Sequence, residues 1–510
     1  MPERQPVVVA IDVGTGSVRA ALVAADGRIL AFAARPHDQH TPRPDWSEQS
    51  PAAWWGGVCA CLQELRATLP DARIEAVAAC GQMHAPVPIG AEGELLAERV
   101  QLWNDKRAAG LVASFAGRPE AEHVARLAAN PPAPAWIAFK LAWLREHAPD
   151  LYRRAAVFLT PKDFVNWRLT GVAATDRSEA SGSFVLAWRT LAYDPEPAAA
   201  LGIDLAKLPP PLPSTHVIGR VTREAARLTG LPAGVPVVAG GGDFLVALLG
   251  SGVSEPGVGS DITGTSTLIS VHAEAPILDP RVMNLHAAGE GWVPFAMIDA
   301  GGDAIRWARR LLHEPATGFE QITALAAASA AGAEGLLFLP YLNGERLGPH
   351  GNARAQFFGV TARHGKAHFH RAVMEGCAIA SDRNLRAMRA AGARFERIVA
   401  TGGGAKARLW LEIKANVYGL PVIVPEERES GLLGCAALAG TAVGLYPDLA
   451  AAVRRLVRHE PPILPDAALV ERYARLKEIF ADLYAAAGPF YDRLDRAVPI
   501  DPAGLPPGQA

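Results

Sequence analysis

The sequence predicts an α/β fold made of two halves that repeat one design. Residues 7–13 and 18–23 have the apolar composition of strands, a glycine-rich turn joins them, and a third strand is expected near 28–34. Helical and strand patterns then alternate, as in 54–69 and 74–80. A sheet covered by helices explains this alternation.

A second round of the pattern begins near residue 250. Residues 261–269 again have the pattern of a strand, a small-residue turn with hydroxyl groups and a second strand. A third turn, at 402–404, follows a strand at 397–400 and precedes a helix. We therefore expect a first domain at 1–250, a second at 251–495, and a disordered tail at 496–510 that is rich in proline and glycine.

The composition excludes several classes of function. The 510 residues are 50% hydrophobic and carry a formal net charge of -2, which provides no basic surface for a nucleic acid or an acidic membrane. The five cysteines have neither paired metal-ligand spacing nor an even number, so zinc and structural disulfides are not expected. The first apolar run, 7–11, is too short for a signal sequence or a membrane span. We expect a cytoplasmic protein whose partner is a small molecule.

The turn after the first strand has the composition of a phosphate-binding loop. Glycine lets phosphate oxygens approach the backbone N–H groups, and neighbouring hydroxyls add hydrogen bonds. The residues predicted to bind phosphate here are Thr15, Gly16 and Ser17. Asp12 would hold Mg²⁺ through water, because this cation prefers oxygen ligands and keeps much of its hydration. An ordinary hairpin with a carboxylate at its mouth is the alternative.

Two turns in the second half have the same character. Gly264, Thr265 and Ser266 would form a second phosphate loop. Gly403 and Gly404 lie where a turn at a helix start could take an adenosine or an α-phosphate. The spacing of a Walker A loop and that of a Rossmann fingerprint are both missing.

Asp243 is the candidate general base. It follows a strand and three glycines at 240–242, where a carboxylate can lie at the edge of a sheet. Phosphoryl transfer to an alcohol needs alignment, charge neutralisation and a carboxylate that takes the hydroxyl proton. Asp243 is also expected near the metal, through water. A capping aspartate after a tight turn is the alternative.

Two polar clusters offer the groups that a sugar needs. A polyol binds to hydrogen-bonding side chains beside an apolar surface. The candidate contacts are Met83, His84, Trp103 and Asp105, with Phe244 next to the base. The alternatives are a half-buried core tryptophan, a core histidine, and a solvated charged face at Lys106 and Arg107.

Longer motifs make the sequence similar to a known family. Residues 355–360 (AQFFGV) and 368–375 (HFHRAVME), separated by seven residues, resemble the C-terminal signature of the FGGY carbohydrate kinases. Residues 140–146 (KLAWLRE) resemble the N-terminal signature, with Ile137 where that pattern has Pro, Ser or Thr. Over about residues 7–485, further stretches resemble the xylulokinases, among them 46–49 (WSEQ), 82–84 (QMH), 161–164 (PKDF) and 240–243 (GGGD).

The resemblance implies two ribonuclease-H-like domains of the actin-like ATPase fold that flank a catalytic cleft. It implies ATP and Mg²⁺ as cofactors, a sugar as the second substrate, and transfer of a phosphoryl group to a ketose. Asp243 matches the family's catalytic base, and Met83 and His84 match its sugar-contact dipeptide. The three glycine-rich turns match the first phosphate loop, the second phosphate loop and the adenosine motif. A homodimer is left open.

Two departures from the xylulokinase pattern concern the choice of sugar. Xylulokinases generally have Asn after the catalytic Asp, where this chain has Phe244, and Gly after Met-His, where it has Ala85 and Pro86. D-xylulose, converted to D-xylulose 5-phosphate, is the expected substrate, and ribulose, another pentulose, a hexulose or a polyol is the alternative. A non-catalytic ATP-binding sugar sensor is a further alternative, which the intact Asp243 disfavours. A chaperone of the same fold superfamily lacks support, because no separate peptide-binding domain follows.

Overall fold

The computed structural model describes residues 6–314, 316–345, 348 and 350–498. It is a mixed α/β structure with two six-stranded sheets, which confirms the predicted class. The strands are β1 Pro6–Val13, β2 Ser17–Ala24, β3 Ile29–Pro36, β4 Glu48–Gln49, β5 Arg73–Gly81, β6 Val87–Gly90, β7 Val100–Gln101, β8 Ala155–Leu159, β9 Thr175–Asp176, β10 Leu186–Ala187, β11 Ala192–Tyr193, β12 Pro211–Leu212, β13 Val217–Arg220, β14 Pro236–Gly242, β15 Val258–Thr263, β16 Thr267–Val271, β17 Met283–His286, β18 Trp292–Ile298, β19 Leu337–Leu339, β20 Gln356–Phe358, β21 Arg397–Thr401 and β22 Val422–Ile423.

The helices are of two kinds. The α-helices are α1 Pro51–Thr68, α2 Ala109–Ala116, α3 Ala121–Ala128, α4 Ile137–His147, α5 Pro149–Arg154, α6 Pro161–Thr170, α7 Arg177–Ser181, α8 Pro195–Leu201, α9 Arg223–Thr229, α10 Asp243–Gly250, α11 Gly302–Leu312, α12 Phe319–Ala327, α13 Lys366–Ala390, α14 Arg408–Tyr418, α15 Ser430–Ala442, α16 Leu449–Leu456 and α17 Ala467–Ala497. Short 3₁₀ helices cover Leu205–Lys207, Ala333–Gly335 and Gly403–Lys406.

Packing divides the described residues into two compact units. The first comprises 6–256, 272–294 and 425–458, and the second comprises 257–271, 295–424 and 459–498. The chain therefore returns to the first unit twice after leaving it. Of the predicted disordered tail, 499–510 lies outside the described residues, and Arg496 and Ala497 end α17.

The first sheet has the strand order β13-β14-β5-β1-β2-β3. Strands β14, β5 and β1 are parallel neighbours, and β1, β2 and β3 form the predicted antiparallel meander. Every residue of β1 after Pro6 is buried, as expected for a central strand with both faces covered. Helix α1 begins with a proline in its first turn and buries Trp54, Val58, Leu62 and Leu65 along one stripe.

The second sheet has the strand order β17-β18-β16-β15-β21-β22. Its β15 pairs antiparallel with β16, as the sequence predicts, and parallel with β21. The helix that the sequence predicts after the turn at 402–404 is α14, but it begins only at Arg408, and a 3₁₀ helix that starts within the turn at Gly403 precedes it. The intervening Ala407 has extended backbone angles, so the two helices cannot merge. Within the described ranges, every helix is too short or too polar to cross a membrane.

Candidate active site

Three parallel strands of the first unit end side by side and carry the candidate residues. Val13 of β1 aligns with Gly81 of β5, and Gly81 aligns with Gly242 of β14. The carboxyl ends of neighbouring parallel strands form the usual ligand-binding edge of an open α/β sheet. The first glycine-rich turn, the Met-His pair and Asp243 are the segments that follow these three strands, so the fold brings them to one edge.

The first phosphate loop is a tight turn with an open outer side. Its backbone closes through a hydrogen bond from Gly14 N to Ser17 O at 3.1 Å. A Cβ added to Gly16 would have no atom within 4 Å, so packing does not require glycine there. The backbone of Thr15 is held in place because its carbonyl oxygen accepts a hydrogen bond from Gln49 Nε2 at 2.6 Å. The loop therefore has free space where a phosphate would approach.

Asp12 lies near the end of β1, just before this loop, and only one of its two carboxylate oxygens is paired within the described residues. Its Oδ2 is paired with the Arg19 guanidinium, which also donates to Glu429 at 2.8 Å. Its Oδ1 is buried and has no hydrogen-bond partner among the described residues. Burial raises the pKa of Asp12, and the charge of Arg19 opposes that rise. An unpaired carboxylate oxygen of this kind suits a hard, hydrated cation.

Asp243 is the first residue of α10 and lies beside a strand end made only of glycine. Its Oδ1 accepts from the Phe244 backbone N–H at 2.7 Å. Burial, followed by the negative charge of Asp12, raises the pKa of Asp243 to about 7. A carboxylate with a pKa close to neutrality is well matched to accepting a hydroxyl proton.

The glycines before Asp243 are required by close packing. Gly240 has φ +71°, and a Cβ there would lie 1.8 Å from the Ala79 carbonyl oxygen. A Cβ on Gly242 would lie 2.5 Å from Met83 Sδ. The thioether of Met83 therefore packs directly on the backbone that precedes the candidate base.

His84 has an unusual backbone and an unpaired imidazole nitrogen. Its φ is +67°, and its backbone N–H donates to Glu179 Oε1 at 3.0 Å. Such a conformation is costly for a residue other than glycine and is common at ligand sites. Burial, followed by the charge of Lys140, lowers the pKa of His84 to about 3, so the ring is neutral. Its Nδ1 is buried and has no partner among the described residues.

Trp103 and Asp105, in the second polar cluster, differ in exposure and in their hydrogen bonds. Trp103 is exposed, and its indole Nε1 donates to Thr15 Oγ1 at 3.1 Å. Asp105 is buried, and its Oδ2 accepts from the Ser47 backbone N–H and from Arg107 Nη2, each at 2.7 Å. Its Oδ1 accepts from the Arg107 backbone N–H at 3.0 Å and from Arg107 Nε at 2.9 Å. Its two oxygens are thus engaged by the protein, so its role as a direct sugar contact stays a prediction.

The alternative interpretation of this cluster, a solvated charged face, holds for Lys106 and fails for Arg107. Lys106 is exposed. Arg107 has a buried guanidinium that pairs with Glu48 at 2.6 Å and lies 3.6 Å from the ring centroid of Trp46. It anchors Asp105 instead of facing water, because two carboxylates and an aromatic ring surround it.

A set of buried polar atoms beside these segments lacks partners. Buried polar groups in folded proteins are almost always hydrogen-bonded, so each exception indicates a ligand, a water or strain. The unpaired atoms of the described residues include Gln82 Oε1, His84 Nδ1, both amide atoms of Gln101, Asn104 Oδ1 and Glu179 Oε2. They include both acceptors and donors, which a polyhydroxylated ligand can satisfy.

Two buried lysines hold the site together and were not among the predicted site residues. Lys140 Nζ donates to the carbonyls of His84 at 2.8 Å and Leu102 at 2.5 Å, and so links the two polar clusters. Lys162 pairs with Asp163 and, at 3.1 Å, with Asp176. The sequence shows both lysines only as members of family-like motifs, with no local feature that predicts burial.

Asp176 extends this support to the glycine strand. Its Oδ2 accepts from the hydroxyls of Ser178 and Ser214, and Ser178 Oγ accepts from the Gly242 backbone N–H at 3.0 Å. The backbone that presents Asp243 is thereby fixed by a hydrogen-bonded chain that ends in a buried ion pair.

The second unit contains the other two glycine-rich turns at the ends of adjacent parallel strands. Gly264, Thr265 and Ser266 connect β15 to β16, and a Cβ on Gly264 would meet no atom within 4 Å. The start of α11 lies against this turn, where Gly302 N donates to Gly264 O at 2.9 Å. Arg306 Nη2 donates to Thr265 Oγ1 at 3.0 Å.

The third turn packs on the end of β15. Gly402 has φ +78°, and its Cβ would lie 2.6 Å from Thr263 O. Gly404 is buried, and a Cβ there would lie 2.7 Å from the Thr263 side chain, whereas Gly403 is exposed. The predicted second phosphate loop and adenosine turn are therefore neighbours within this unit.

Beneath both turns lies a buried ion pair that the sequence did not reveal. Lys414 Nζ donates to Asp261 Oδ1 and to Thr263 Oγ1, each at 2.6 Å, and Tyr418 donates to Asp261 Oδ2 at 2.7 Å. The helical spacing of Trp410, Ile413 and Val417 predicts that one face of α14 is buried. Nothing in that spacing indicates that Lys414 is buried as well.

The comparisons with known proteins show the family of the chain. Residues 7–250 match the N-terminal domain of the FGGY family of carbohydrate kinases, and residues 260–443 match the C-terminal domain of the same family. The chain is an FGGY carbohydrate kinase. It is therefore an enzyme, and its two domains have the actin-like ATPase fold.

The relatives of this kinase are named after different substrates. It is 29% identical to a xylulose kinase of Bacillus subtilis, over 94% of this chain and 96% of the relative. It is 32% identical to an autoinducer-2 kinase of Yersinia enterocolitica, over 90% of each chain. The structure of a xylulose kinase from Rhodospirillum rubrum superposes with a TM-score of 0.90 at 32% identity, covering 95% of this chain and 100% of that one.

Proposed function

We propose that this kinase transfers the γ-phosphoryl group of ATP to a ketose, and that its substrate is D-xylulose, which becomes D-xylulose 5-phosphate. One observation carries the proposal. Asp243 follows β14 at the sheet edge where Met83 and His84 follow β5 and the first phosphate loop follows β1. A base, polar sugar contacts and a phosphate loop thus share one edge of one sheet.

The sugar would lie among the unpaired buried atoms. His84 Nδ1 can accept a hydrogen bond from a hydroxyl because the ring is neutral. The amide atoms of Gln101 offer both a donor and an acceptor. Trp103 supplies an exposed aromatic face, and Met83 an apolar contact next to the base. This mixture of apolar surface and a few directed polar groups is typical of sugar sites.

Two glycine-rich loops are the candidates for binding the phosphates of ATP. Thr15, Gly16 and Ser17 offer hydroxyls and an open backbone, and Gly264, Thr265 and Ser266 offer the same groups. Gly403 and Gly404 would take the adenosine. We accordingly assign the sugar site and the first phosphate loop to residues 1–250, and the second phosphate loop and the adenosine site to residues 251–495.

The carboxylates of the first unit fit Mg²⁺. Asp12 keeps one buried oxygen unpaired, and Asp243 lies close enough for its pKa to respond to the charge of Asp12. Among the described residues, clusters of three or more metal-ligating side chains are absent, as suits a cation held mainly by water and phosphate oxygens. When bound, the cation would offset negative charge on the transferring phosphoryl group.

The chemical step assigned to Asp243 is proton transfer. Its carboxylate takes the proton of the sugar hydroxyl as that oxygen forms a bond to the γ-phosphorus and the bond to the ADP oxygen breaks. The raised pKa favours this role, because a base near pKa 7 combines adequate ionisation at neutral pH with basicity. The hydrogen-bonded chain through Ser178 and Asp176 holds the backbone before Asp243 in position.

The choice of sugar is the part of the proposal that rests on resemblance. Xylulose kinases and autoinducer-2 kinases match this chain at similar identity. Phe244 also removes the amide that xylulokinases generally have beside the base. A different pentulose, a hexulose or a polyol is therefore the second candidate. Since ATP is the phosphoryl donor, we place the reaction in the cytoplasm.

A substrate panel tests the proposal. The purified protein would be mixed with ATP, Mg²⁺ and each of D-xylulose, ribulose, hexuloses, gluconate, glycerol and autoinducer-2, with ADP release as the measurement. We expect the highest kcat/KM with a pentulose. A higher kcat/KM with a non-ketose substrate would replace the assignment, and ADP release with no sugar would point to an ATPase.

A further inference from the structure

A large cavity lies in the first unit, and its lining residues are other than those assigned to catalysis. It is a cavity of about 680 Å³, which falls within the range of small-molecule sites, about 300 to 1,000 Å³. None of its lining residues belongs to the proposed sugar or phosphate sites. Within the described residues, it is formed by α10, the start of α7, the β17–β18 turn and the start of α16.

One wall of the cavity is apolar and belongs to the helix that carries the base. Leu245, Leu248 and Leu249 of α10 line it, and their spacing places them on one face of that helix. The opposite face of α10 packs against α15, where a Cβ on Gly434 would lie 2.0 Å from Val246 O. The helix is therefore fixed on one side and borders the cavity on the other.

The polar groups of the cavity include one cation without a counter-ion. Arg177 is half-buried, its Nε has no hydrogen-bond partner, and it forms no ion pair among the described residues. A guanidinium of this kind is a donor fork for a carboxylate or a phosphate. The carboxylates that line the cavity, Glu274, Glu290 and Asp448, are all exposed, so solvent screens their repulsion of an anion.

Two buried histidines add hydrogen-bonding groups. His286 Nδ1 lies 2.8 Å from the Ala287 carbonyl oxygen, so it carries the proton and leaves Nε2 as an acceptor. His272 Nε2 lies 2.9 Å from Glu290 O, and its buried Nδ1 has no partner among the described residues. Burial lowers the pKa of both rings, so both are neutral acceptors for hydroxyl groups.

Two elements connect the cavity to the catalytic residues. Helix α10 begins with Asp243 and lines the cavity with its leucines. Helix α7 begins with Arg177, and Glu179 within it accepts from the His84 backbone N–H at 3.0 Å. The β17 strand is attached to the same helix, because His286 N donates to Ser181 Oγ at 2.9 Å. A ligand that moves Arg177 or the leucines would therefore also affect the positions of Asp243 and His84.

We propose that this cavity is an effector site for a small organic oxyanion, a carboxylate or a phosphate monoester, whose anionic group binds Arg177 and whose body lies on the α10 leucines. The binding is independent of the kinase assignment, and the effector role rests on the proposed function. A carboxylate and a phosphate share the chemistry that Arg177 recognises, so the test includes one of each.

Binding is tested first by ¹⁹F NMR on the full-length chain. The probes are 4-fluorobenzoate, 4-fluorophenyl phosphate and the neutral 4-fluorobenzyl alcohol. We expect one or both anions to bind at least about tenfold more tightly than the alcohol, because a charge-assisted pair contributes more than a neutral hydrogen bond. Arg177→Gln should remove that preference, and Arg227→Gln, which changes an exposed arginine of α9, should leave it intact.

A second variant identifies where the probes bind. Ser254→Phe adds an aromatic ring at the cavity wall and should abolish binding of all three probes, and Ala450→Trp on the exposed rim does the same if the first variant does not fold. Anion binding that survives both substitutions, or that is unaffected by Arg177→Gln, would place the probes elsewhere and overturn the site. Absence of binding at 10 mM probe, on the order of the weakest useful affinity, would also overturn it.

The effector role is tested by initial rates with the best sugar of the panel. We expect the bound anion to change kcat or the sugar KM at least about threefold in the wild type, and to have no effect in Ser254→Phe, which should retain basal turnover. Binding with unchanged kinetics would overturn the effector role. If the protein phosphorylates none of the sugars, the kinase assignment fails while the NMR result stands by itself.

Discussion

The indole Nε1 of Trp103 donates a hydrogen bond to Thr15 Oγ1 at 3.1 Å. Trp103 belongs to the segment predicted to contact the sugar, and Thr15 to the first phosphate loop. The bond therefore joins the two proposed substrate sites through one side-chain contact. A second connection runs from Thr15 O through Gln49 to Gln82, at 2.6 and 2.7 Å, and reaches the residue next to Met83.

Trp103→Phe should raise the KM for ATP about fivefold, although Trp103 is assigned to the sugar site. The substitution keeps an aromatic face and removes one hydrogen bond to Thr15, a loss of about 1 kcal/mol. Steady-state kinetics with both substrates varied would measure it. Trp188→Phe is the matched control, since the buried Trp188 indole N–H has no hydrogen-bond partner in the described part of the chain and its loss should leave the ATP KM unchanged. Equal ATP KM values in wild type and Trp103→Phe would contradict the connection.

Asp243→Asn should lower kcat by about 10² or more and leave sugar and nucleotide binding within a few-fold, because general-base catalysis contributes about 10² to 10⁴. Turnover and calorimetric binding would be measured on the same preparation. Asp194→Asn is the control, because Asp194 only caps α8 and accepts from Glu196 N at 2.9 Å, a role that Asn fills nearly as well. If Asp243→Asn behaves like this control, Asp243 is a structural cap.

Gly16→Ala should leave stability within about 0.5 kcal/mol of the wild type and raise the KM for ATP about tenfold or more. The added Cβ meets no protein atom within 4 Å, but it would occupy the space in which phosphate oxygens reach the backbone. Thermal unfolding and ATP kinetics would be compared with Gly56→Ala in α1, where a Cβ also meets nothing. An unchanged ATP KM would remove Gly16 from the phosphate site.

Local sequence was enough to predict the meander β1–β3, the α/β alternation and the three glycine-rich turns. Each of these depends on residues close in the chain, such as an apolar run that ends in a small-residue turn. The segment after each central strand then had to lie at one edge, because β1, β5 and β14 are parallel neighbours. From the sequence, Asp243 and the Met83–His84 pair were chosen because each directly follows a predicted strand. That these strands are adjacent and parallel is a finding of the structure.

The supporting charges could not be predicted in the same way. Lys414 reaches Asp261 across 153 residues, and Lys140 reaches the His84 carbonyl across 56. A buried lysine has the same local sequence signature as one on a solvated helix face, and only its partners distinguish the two. Similarly, Arg107 resembled a surface residue because Trp46 and Glu48 lie far from it in the sequence.

The unfolding free energy of the wild type should rise with pH from 7 to 10 relative to that of Lys140→Met. Burial lowers the pKa of Lys140 to about 7, so over this range the unfolded chain holds a proton that the folded chain has released. Stability rises with pH wherever the unfolded state binds more protons, by at most about 1.4 kcal/mol per pH unit for one group. Urea midpoints at pH 7 and 9 would measure the difference. The unfolding free energy of Lys106→Met, a change at an exposed lysine, should depend on pH in the same way as that of the wild type. If the unfolding free energy of Lys140→Met also depends on pH as that of the wild type does, Lys140 keeps an ordinary pKa.

Phe244→Asn should shift the preference of the kinase toward D-xylulose by about tenfold in kcat/KM relative to the next-best sugar. Phe244 is half-buried and directly follows the base, where the wild type has no side-chain amide. A site that hydrogen-bonds a hydroxyl discriminates strongly against an analogue that lacks it, whereas an apolar wall discriminates by only about 1 to 3 kcal/mol. The wild type should therefore accept several ketoses or polyols with similar kcat/KM, and the variant should separate them. Phe244→Leu keeps the wall apolar and serves as the control, with a preference order like that of the wild type. If Phe244→Asn also leaves the order unchanged, the side chain at 244 does not face the sugar, and the absence of the family's asparagine gives no reason to doubt D-xylulose as the substrate.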